Sequence, residues 1–294
     1  MIFSVIVPTY NRLASLRRTL ESLFSQDFDD YEIIVVNDGS NDGTSQYLSA
    51  LASEGRIRHI EQENRGPSAA RNAGLRAAAG VYIAYTDDDC RVPADWLAGL
   101  LDHFEKEGVD FLGGVVRNCV PDDLCAGISQ EITNHFVNTL GVGGGSTPFL
   151  TSNNIAYRAE TLRRAGGFDE RFRVAGGEER ALNHRILSDG GSSVLAMDIV
   201  VDHFHELRFK GFFRQQFNYG RGAYILYRVV GRETPAPPGV MPKLAYASVV
   251  KSFFGNGIRG GLAKTAMFGL AQCSVALGFV YQAFVPVRPV RVIG

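Results

Sequence analysis

The chain has 294 residues, of which 45% are hydrophobic and 21% charged, an ordinary globular composition. Its formal net charge of −1 is unevenly distributed: residues 206–294 carry twelve Lys and Arg against two acids, and residues 1–205 carry eighteen against twenty-nine. A basic end of this kind is typical of contact with phosphates, in nucleic acid or in anionic lipid. Four cysteines without a C-x-x-C pair favour a reducing compartment over a disulfide scaffold or a zinc site. The N-terminus predicts no signal peptide.

The first half alternates short β-rich runs with helical patterns. Strands are predicted at Ile2–Val7, Glu32–Val36, Ile57–Glu61, Val81–Tyr85 and Phe111–Val116. Apolar residues recur at helical spacing over 13–24 and 96–104. This alternation predicts an α/β domain with a mainly parallel sheet covered by helices on both faces. Ligands of such sheets bind at the carboxyl ends of the strands.

The middle of the chain changes character. Gly141–Gly145, with four glycines in five residues, predicts a mobile loop. A strand at Ser152–Tyr157 and helices at Ala159–Ala165, Glu178–Ser188 and Phe209–Tyr227 are expected to follow it. The Pro-rich segment Thr234–Pro242 is typical of a linker.

Three adjacent carboxylates, Asp87, Asp88 and Asp89, follow an apolar strand and form the strongest local signal. They repel one another unless a cation or solvent relieves them. Side chains alternate along an extended chain, so we expect Asp87 and Asp89 to point to the same side. Two such oxygen ligands suit Mg²⁺ or Mn²⁺ bridging a diphosphate; a solvated turn is the alternative.

Other nucleotide-binding signatures are missing from the sequence. No G-x-G-x-x-G follows the first strand and there is no P-loop, which disfavours a dinucleotide-dependent dehydrogenase and excludes a P-loop NTPase. Thr9, Asn11 and Asp38 follow predicted strands and are able to hydrogen-bond a base or ribose. Turn or cap roles are the alternative for each residue.

Four sequence blocks occur in a recognisable order: residues 5–12 (VIVPTYNR), 35–44 (VVNDGSNDGT), 64–74 (NRGPSAARNAG) and 87–89 (DDD). Together they closely resemble the family 2 glycosyltransferases, which have the GT-A fold, over about residues 1–230. The resemblance implies a GT-A catalytic domain over residues 1–231. A Pro-rich linker at 232–242 and an apolar, basic helical tail at 243–294 complete the predicted organisation.

The same resemblance implies roles for individual residues. Those implied to bind the donor are Pro8, Thr9, Tyr10 and Asn11 at the nucleoside, Asp38 at the base, and Arg71, Asp87 and Asp88. Asp87 and Asp89 match the family's D-x-D metal motif, with Asp89 the direct ligand. In many GT-A enzymes a histidine that follows the helix with the catalytic base completes the metal site, and His203 matches that place better than His205. Imidazole with carboxylates favours Mn²⁺ over Mg²⁺.

A catalytic base is implied at the start of a predicted helix. Glu178-Glu179 stands where the family carries Glu-Asp, whose second acid is the base, so Glu179 inherits the role. Its extra methylene leaves Glu178 as an alternative, and an acid pair that merely complements the helix dipole is another. Asn154 and Arg158 match the family on the acceptor side of the cleft.

The sequence therefore predicts a metal-dependent, inverting glycosyltransferase with a UDP-sugar as favoured donor and a glycan or lipid-linked hydroxyl as acceptor. The alternatives are a nucleotidyltransferase of similar fold and a sugar-nucleotide-binding protein without activity. Nucleic acid is not an expected partner, because the first 205 residues are acidic and contain no recognition motif.

The tail predicts attachment to a membrane. No residue from Thr265 to Val287 is charged, and flanking cations such as Lys251 and Lys264 suit anionic headgroups. Gln272, Gln282 and several glycines dilute the hydrophobicity, so an interfacial helix pair on the cytoplasmic face is expected rather than a span. An oligomer interface or a cap on the catalytic domain is the alternative.

Overall fold

A computed structural model describes residues 1–140, 149–231, 243–254 and 258–287 of the chain. The predicted mobile loop Gly141–Gly145 and the predicted linker 232–242 lie outside these ranges.

Among the described residues, the strands are β1 (Phe3–Thr9), β2 (Tyr31–Asn37), β3 (Arg58–Glu61), β4 (Tyr82–Tyr85), β5 (Cys90–Arg91), β6 (Phe111–Asn118), β7 (Ile155–Arg158) and β8 (Ser193–His203). The helices are α1 (Leu13–Leu23), α2 (Thr44–Ser53), α3 (Pro67–Ala77), α4 (Trp96–Glu107), α5 (Leu124–Leu140), α6 (Ala159–Arg164), α7 (Glu178–Ser188), α8 (Phe209–Val230), α9 (Lys243–Phe253) and α10 (Ile258–Phe284).

One mixed sheet organises the domain, in the order β3-β2-β1-β4-β7-β6-β8-β5. The β3-β2-β1-β4 block is parallel throughout, and β6 pairs with β8 in parallel. β7 runs antiparallel to both of its neighbours, and β5 runs antiparallel to β8. The predicted α/β class with a mainly parallel sheet is confirmed, and three antiparallel pairings are added to it.

Helices cover both faces of the sheet because its strands are apolar on both sides. Val5 and Val7 of β1 pack in a cluster with residues of α1 and α4, whereas Ile6 packs with residues of α3 and α7. Burial on both faces leaves only the strand ends open to a ligand. The carboxyl ends of β1, β2 and β4 lie together at one edge, and this edge carries the site.

The C-terminal helices pack on the α/β domain. α10 crosses α8 so closely that a Cβ on Gly220 would overlap the carbonyl oxygen of Val275, and one on Gly278 would overlap that of Phe217. α5, α8, α9 and α10 share an apolar cluster of their own. A helical C-terminal extension is therefore confirmed, while the predicted domain boundaries stay a prediction.

Candidate active site

A cleft of 1040 Å³ opens at the carboxyl edge of the sheet. The loops after β1, β2 and β4 line one part of it, and residues of α5, α7, α8 and α10 line the rest. Of the predicted donor-binding, metal and catalytic residues, the structure brings all into this cleft: Pro8, Thr9, Tyr10, Asn11, Asp38, Arg71, Asp87, Asp88, Asp89, Glu178, Glu179 and His203.

The loop after β1 is held against the loop after β2. Asn11 has a left-handed backbone (φ 53°), its N–H donates to Ser40 Oγ at 2.8 Å, and its Oδ1 accepts from the Asn41 N–H at 2.8 Å. Tyr10, next to it, is 47% exposed in the wall of the cleft. This loop thus presents an aromatic ring while its backbone stays fixed.

Asp38 is buried at the end of β2, and its carboxylate organises the next loop. Oδ1 accepts from Gln62 Nε2 at 2.6 Å and from the Arg65 N–H at 2.9 Å, and Oδ2 accepts from the Gly66 N–H at 2.8 Å. Asp38 therefore fixes the backbone of the loop that leads into α3. Only Oδ2, which accepts a single hydrogen bond, is able to accept another from a ligand.

Arg71 of α3 joins the two acidic parts of the cleft. Its guanidinium donates to Asp87 Oδ1 at 2.9 Å and to Glu178 Oε1 at 3.0 Å. Ser152 Oγ accepts a further hydrogen bond at 2.8 Å. Burial lowers the pKa of Arg71, but the two carboxylates outweigh burial and raise the pKa above its usual value. Arg71 is thus a fixed cation that ties the acidic turn to the start of α7.

The three aspartates do not form an extended strand, so the alternation argument is wrong. The Cys90 N–H donates to the Asp87 carbonyl, which makes residues 87–90 a turn between β4 and β5. Asp88 is buried against β1, where it accepts from Thr9 Oγ1 at 2.7 Å and from Arg12. Asp87 is 30% exposed and faces Arg71, whereas Asp89 faces the end of β8.

Three cationic or protonatable side chains contact the carboxylate of Asp89. His203 Nε2 lies 3.2 Å from Oδ1, His205 Nδ1 lies 2.7 Å from Oδ2, and Arg12 Nη1 donates to Oδ2 at 2.7 Å. Burial raises the pKa of Asp89, but the hydrogen bonds from both histidines outweigh it and hold the pKa well below its usual value. Sequence reasoning missed Arg12 as a partner of Asp89 and ranked His203 above His205, although both contact it.

The ligand atoms of Asp89, Cys90 and His203 lie within 4.8 Å of one another. Burial raises the pKa of the Cys90 thiol well above its usual value, so the protonated sulfur is a poor ligand. Without the thiol, the carboxylate of Asp89 and the imidazole of His203 remain as an oxygen and a nitrogen donor, and Asp87 lies in the same turn.

The two glutamates at the start of α7 are held differently. Gly176 (φ 142°) and Gly177 (φ 102°) provide the backbone turn that aims the start of the helix into the cleft. Glu178 is bound by Arg71 and by the Gly176 N–H at 2.7 Å. Glu179 accepts no hydrogen bond from another side chain of the described residues, and burial together with the neighbouring Glu178 raises its pKa to about 8. A carboxyl group in this state is suited to exchange a proton near neutral pH.

Two predicted acceptor-side residues lie elsewhere, and this corrects their assignment. The side chain of Asn154 is completely buried: Nδ2 donates to the carbonyls of Val115 and Ile199, and Oδ1 accepts from Trp96 Nε1, all at 3.0 Å. Arg158, at the end of β7, donates to the Val109 carbonyl. Because β7 is antiparallel to β4, its end lies at the amino-terminal edge of β4, away from the cleft.

Asn154→Ala is therefore expected to lower the free energy of unfolding by about 3 kcal/mol, because it leaves a buried indole N–H and two carbonyls without partners. Denaturant unfolding measures this change. Activity per folded molecule is expected to stay near that of the wild type. A strong loss of activity at unchanged stability would restore Asn154 to the acceptor site.

The sheet order, the acidic turn after β4 and the acidic start of α7 at one cleft define a nucleotide-sugar transferase of the GT-A fold. The sequence model of the family described as "Glycosyl transferase family 2" matches residues 4–166. The chain belongs to this family of glycosyltransferases, so the nucleotidyltransferase alternative is not retained.

Three comparisons illustrate the relationship. "Glycosyltransferase AglE" of Haloferax volcanii is 29% identical over 228 residues, which cover 74% of this chain and 72% of that protein. "Chondroitin synthase" of Escherichia coli is 29% identical over 221 residues, covering 64% of this chain but only 32% of that protein. The solved structure of a mannosyltransferase from Pyrobaculum calidifontis with GDP-Man and Mn²⁺ has a TM-score of 0.66 at 22% identity, covering 96% of this chain and 87% of that chain.

Proposed function

We propose that the protein transfers a sugar, with inversion at the anomeric carbon, from a nucleotide-diphosphate donor to a hydroxyl of a glycan or lipid-linked acceptor. The state of Glu179 carries this proposal: it is a buried carboxyl with a pKa of about 8, it accepts no hydrogen bond from another side chain of the described residues, and it lies in the same cleft as the acidic turn. As a carboxylate, Glu179 would accept the proton of the attacking hydroxyl. Direct attack on the anomeric carbon, with no covalent intermediate, inverts its configuration.

Nucleoside and diphosphate would bind at the opposite side of the cleft. Tyr10 offers a ring for the base, Thr9, Asn11 and Asp38 surround it, and Arg71 offers a fixed positive charge that Asp87 and Glu178 keep in place. We take Asp38 mainly as the residue that fixes this pocket, since three hydrogen bonds already engage its carboxylate.

Asp89 and His203, with His205 and Asp87 beside them, would hold a divalent cation, and the donor set favours Mn²⁺ over Mg²⁺. A cation bound there supplies Lewis-acid stabilisation of the negative charge on the departing diphosphate. The structural neighbour bound to GDP-Man and Mn²⁺ supports a metal-dependent reaction at this fold.

The donor is to be identified before the reaction is tested. The favoured donor is a UDP-sugar, and the GDP-Man of the structural neighbour makes GDP-sugars the first competitor. A thermal-shift screen with Mn²⁺ would rank nucleotide sugars, because a ligand at about 100 times its Kd stabilises the folded state by about 2.7 kcal/mol. NMR of the product of the best donor then tests the mechanism: inversion is expected, and retention of configuration would rule out direct displacement.

The C-terminal helices would hold the enzyme on the cytoplasmic face of a membrane as a peripheral protein. The exposed residues of α10 from Gly260 to Phe284 are all uncharged, and large apolar ones recur along one face: Leu262, Leu270, Leu277, Val280 and Phe284. By length and composition, Gly260–Phe284 is able to cross a membrane, but its other face packs on α8. An interfacial position satisfies both faces. Lys264, one of the flanking cations, is bound to Glu131 and contributes less than predicted.

Flotation with liposomes of anionic phospholipid tests this placement on the full-length protein. The wild type is expected to float, and Leu270→Glu with Leu277→Glu is expected to abolish flotation, because both charges enter the exposed face of α10. Met197→Glu, at an exposed position on β8, is the matched control and is expected to float. The membrane role would be contradicted if the wild type did not float with the liposomes. In that case the α10 variants would partition like the wild type and remain monomeric.

A further inference from the structure

Five arginines line the cleft, and two of them form ion pairs with carboxylates of the described residues. Arg12 and Arg71 each bind two carboxylates. Arg173, Arg180 and Arg214 also line the cleft, yet none of them forms an ion pair or donates a side-chain hydrogen bond among the described residues. The cleft therefore carries positive charge that no acidic side chain pairs with in the part of the chain that the structure describes.

Arg180 is the most enclosed of the three. It follows Glu179 in α7, and its guanidinium carbon lies 5.4 Å from the centre of the Phe149 ring. Its Nε is buried without a hydrogen-bond partner. Burial lowers the pKa of Arg180 although Glu179 raises it. Buried polar atoms in proteins normally have partners, so a guanidinium that lines a cleft and has a buried Nε without one indicates a ligand of opposite charge.

The surroundings place Arg180 in the half of the cleft opposite the donor. Phe149 stacks on Phe136 of α5, with ring centres 5.1 Å apart and planes at 22°, and both rings line the cleft. α5 follows β6, which lies on the far side of β4 and β7 from β1 and β2. Arg173 is on the donor side instead, because a Cβ on Gly66 at the start of α3 would overlap its backbone.

We propose that Arg180 binds an anionic group of the acceptor, a phosphate or a carboxylate, next to the hydroxyl that attacks. The inference rests on the proposed function, since it uses Glu179 as the base that defines the acceptor position. The planar guanidinium is able to make two parallel hydrogen bonds to either anion, and the Phe149 ring lies beside it. Arg214 of α8 is a second, exposed cation that lines the same cleft.

Binding calorimetry on the full-length protein tests this inference. With Mn²⁺ and a saturating nucleoside diphosphate filling the donor side, the probes are a short isoprenyl phosphate, methyl glucuronide and neutral methyl glucoside. At least one anionic probe is expected to bind the wild type, and whichever binds identifies a lipid phosphate or a uronic acid as the source. Arg180→Gln is expected to weaken that binding on the order of 10- to 100-fold, the worth of a hydrogen bond to a charged group. Arg180→Lys is expected to retain part of it.

Two measurements separate this role from a structural one. Arg180→Gln is expected to keep or raise the Tm, because it removes a cation that forms no ion pair or side-chain hydrogen bond with the described residues, and to keep the affinity for the nucleoside diphosphate. Arg76→Gln, an exposed residue outside the cleft, is the control with the same charge change. Failure of the wild type to bind either anion, or weakened nucleotide binding in Arg180→Gln, would overturn the inference. Failure of the proposed function itself would show separately, as a wild type that binds no nucleotide sugar in the thermal-shift screen.

Discussion

Asp89→Ala is expected to reduce sugar transfer by at least roughly 10³-fold, equivalent to about 4 kcal/mol of transition-state stabilisation. The substitution removes the carboxylate around which His203, His205 and Arg12 are arranged. Without it the proposed cation site would lose its central oxygen ligand, and a cation that would balance the charge of the departing diphosphate would no longer be held. Nucleotide binding, measured by calorimetry with and without Mn²⁺, is expected to lose its dependence on the metal.

Asp202→Asn is the matched control for this variant. Asp202 is also a buried acid bound by two cations, Arg91 and Arg117, and it lies on β8 beside His203 but outside the cleft. The Asp202→Asn substitution is expected to lower the free energy of unfolding without changing the metal dependence of nucleotide binding. Near-normal transfer by Asp89→Ala without added metal would show that the acidic turn holds no essential cation.

Most of the parallel block could be predicted from the sequence, because local pattern and tertiary environment agree there. β1, β2 and β4 lie within one or two residues of their predicted bounds, and α7 spans Glu178–Ser188 as expected. Strands that are buried on both faces give continuous apolar runs, and these are visible without knowledge of their neighbours.

The remaining features depend on contacts between distant parts of the chain. β5 is a two-residue strand that exists only by pairing with β8, and it makes residues 87–90 turn where an extended chain was predicted. α5 was not predicted, and it packs on α8 and α9 rather than on the sheet alone. The roles of Asn154 and Arg158 also depended on distant contacts. The sequence does not distinguish a side chain that binds a ligand from one that donates to a buried backbone carbonyl, as both of these do.

The choice between His203 and His205 also required the fold. β8 ends at His203, and the chain then turns so that the two imidazoles stack with centres 5.2 Å apart. Both nitrogens reach Asp89, one on each carboxylate oxygen. Sequence spacing does not show which of two histidines on either side of Phe204 contacts Asp89. The structure shows that each of them contacts a different carboxylate oxygen of Asp89.

The structure separates the two glutamates that the sequence left as alternative bases. Glu178 is bound by Arg71 and by a backbone N–H, so its role is to hold Arg71 and the start of α7. Glu178→Gln is therefore the control for the base variant Glu179→Gln. It keeps the shape of the Glu178 side chain but weakens the buried ion pair with Arg71. Its main effects are expected on stability and nucleotide affinity.

Glu179→Gln is expected to leave donor binding intact and to reduce transfer by roughly 10²- to 10⁴-fold, since the amide keeps the shape of the side chain but accepts no proton. In the proposed mechanism only the carboxylate form of Glu179 is active, and burial with Glu178 nearby raises the pKa of Glu179 to about 8. Below that pH the group is protonated and inactive, so kcat/KM is expected to rise as the pH increases towards 8 and then to level off. The residual activity of Glu179→Gln is expected to lack this rise. An active Glu179→Gln beside an inactive Glu178→Gln that still folds and binds nucleotide would reverse the two roles.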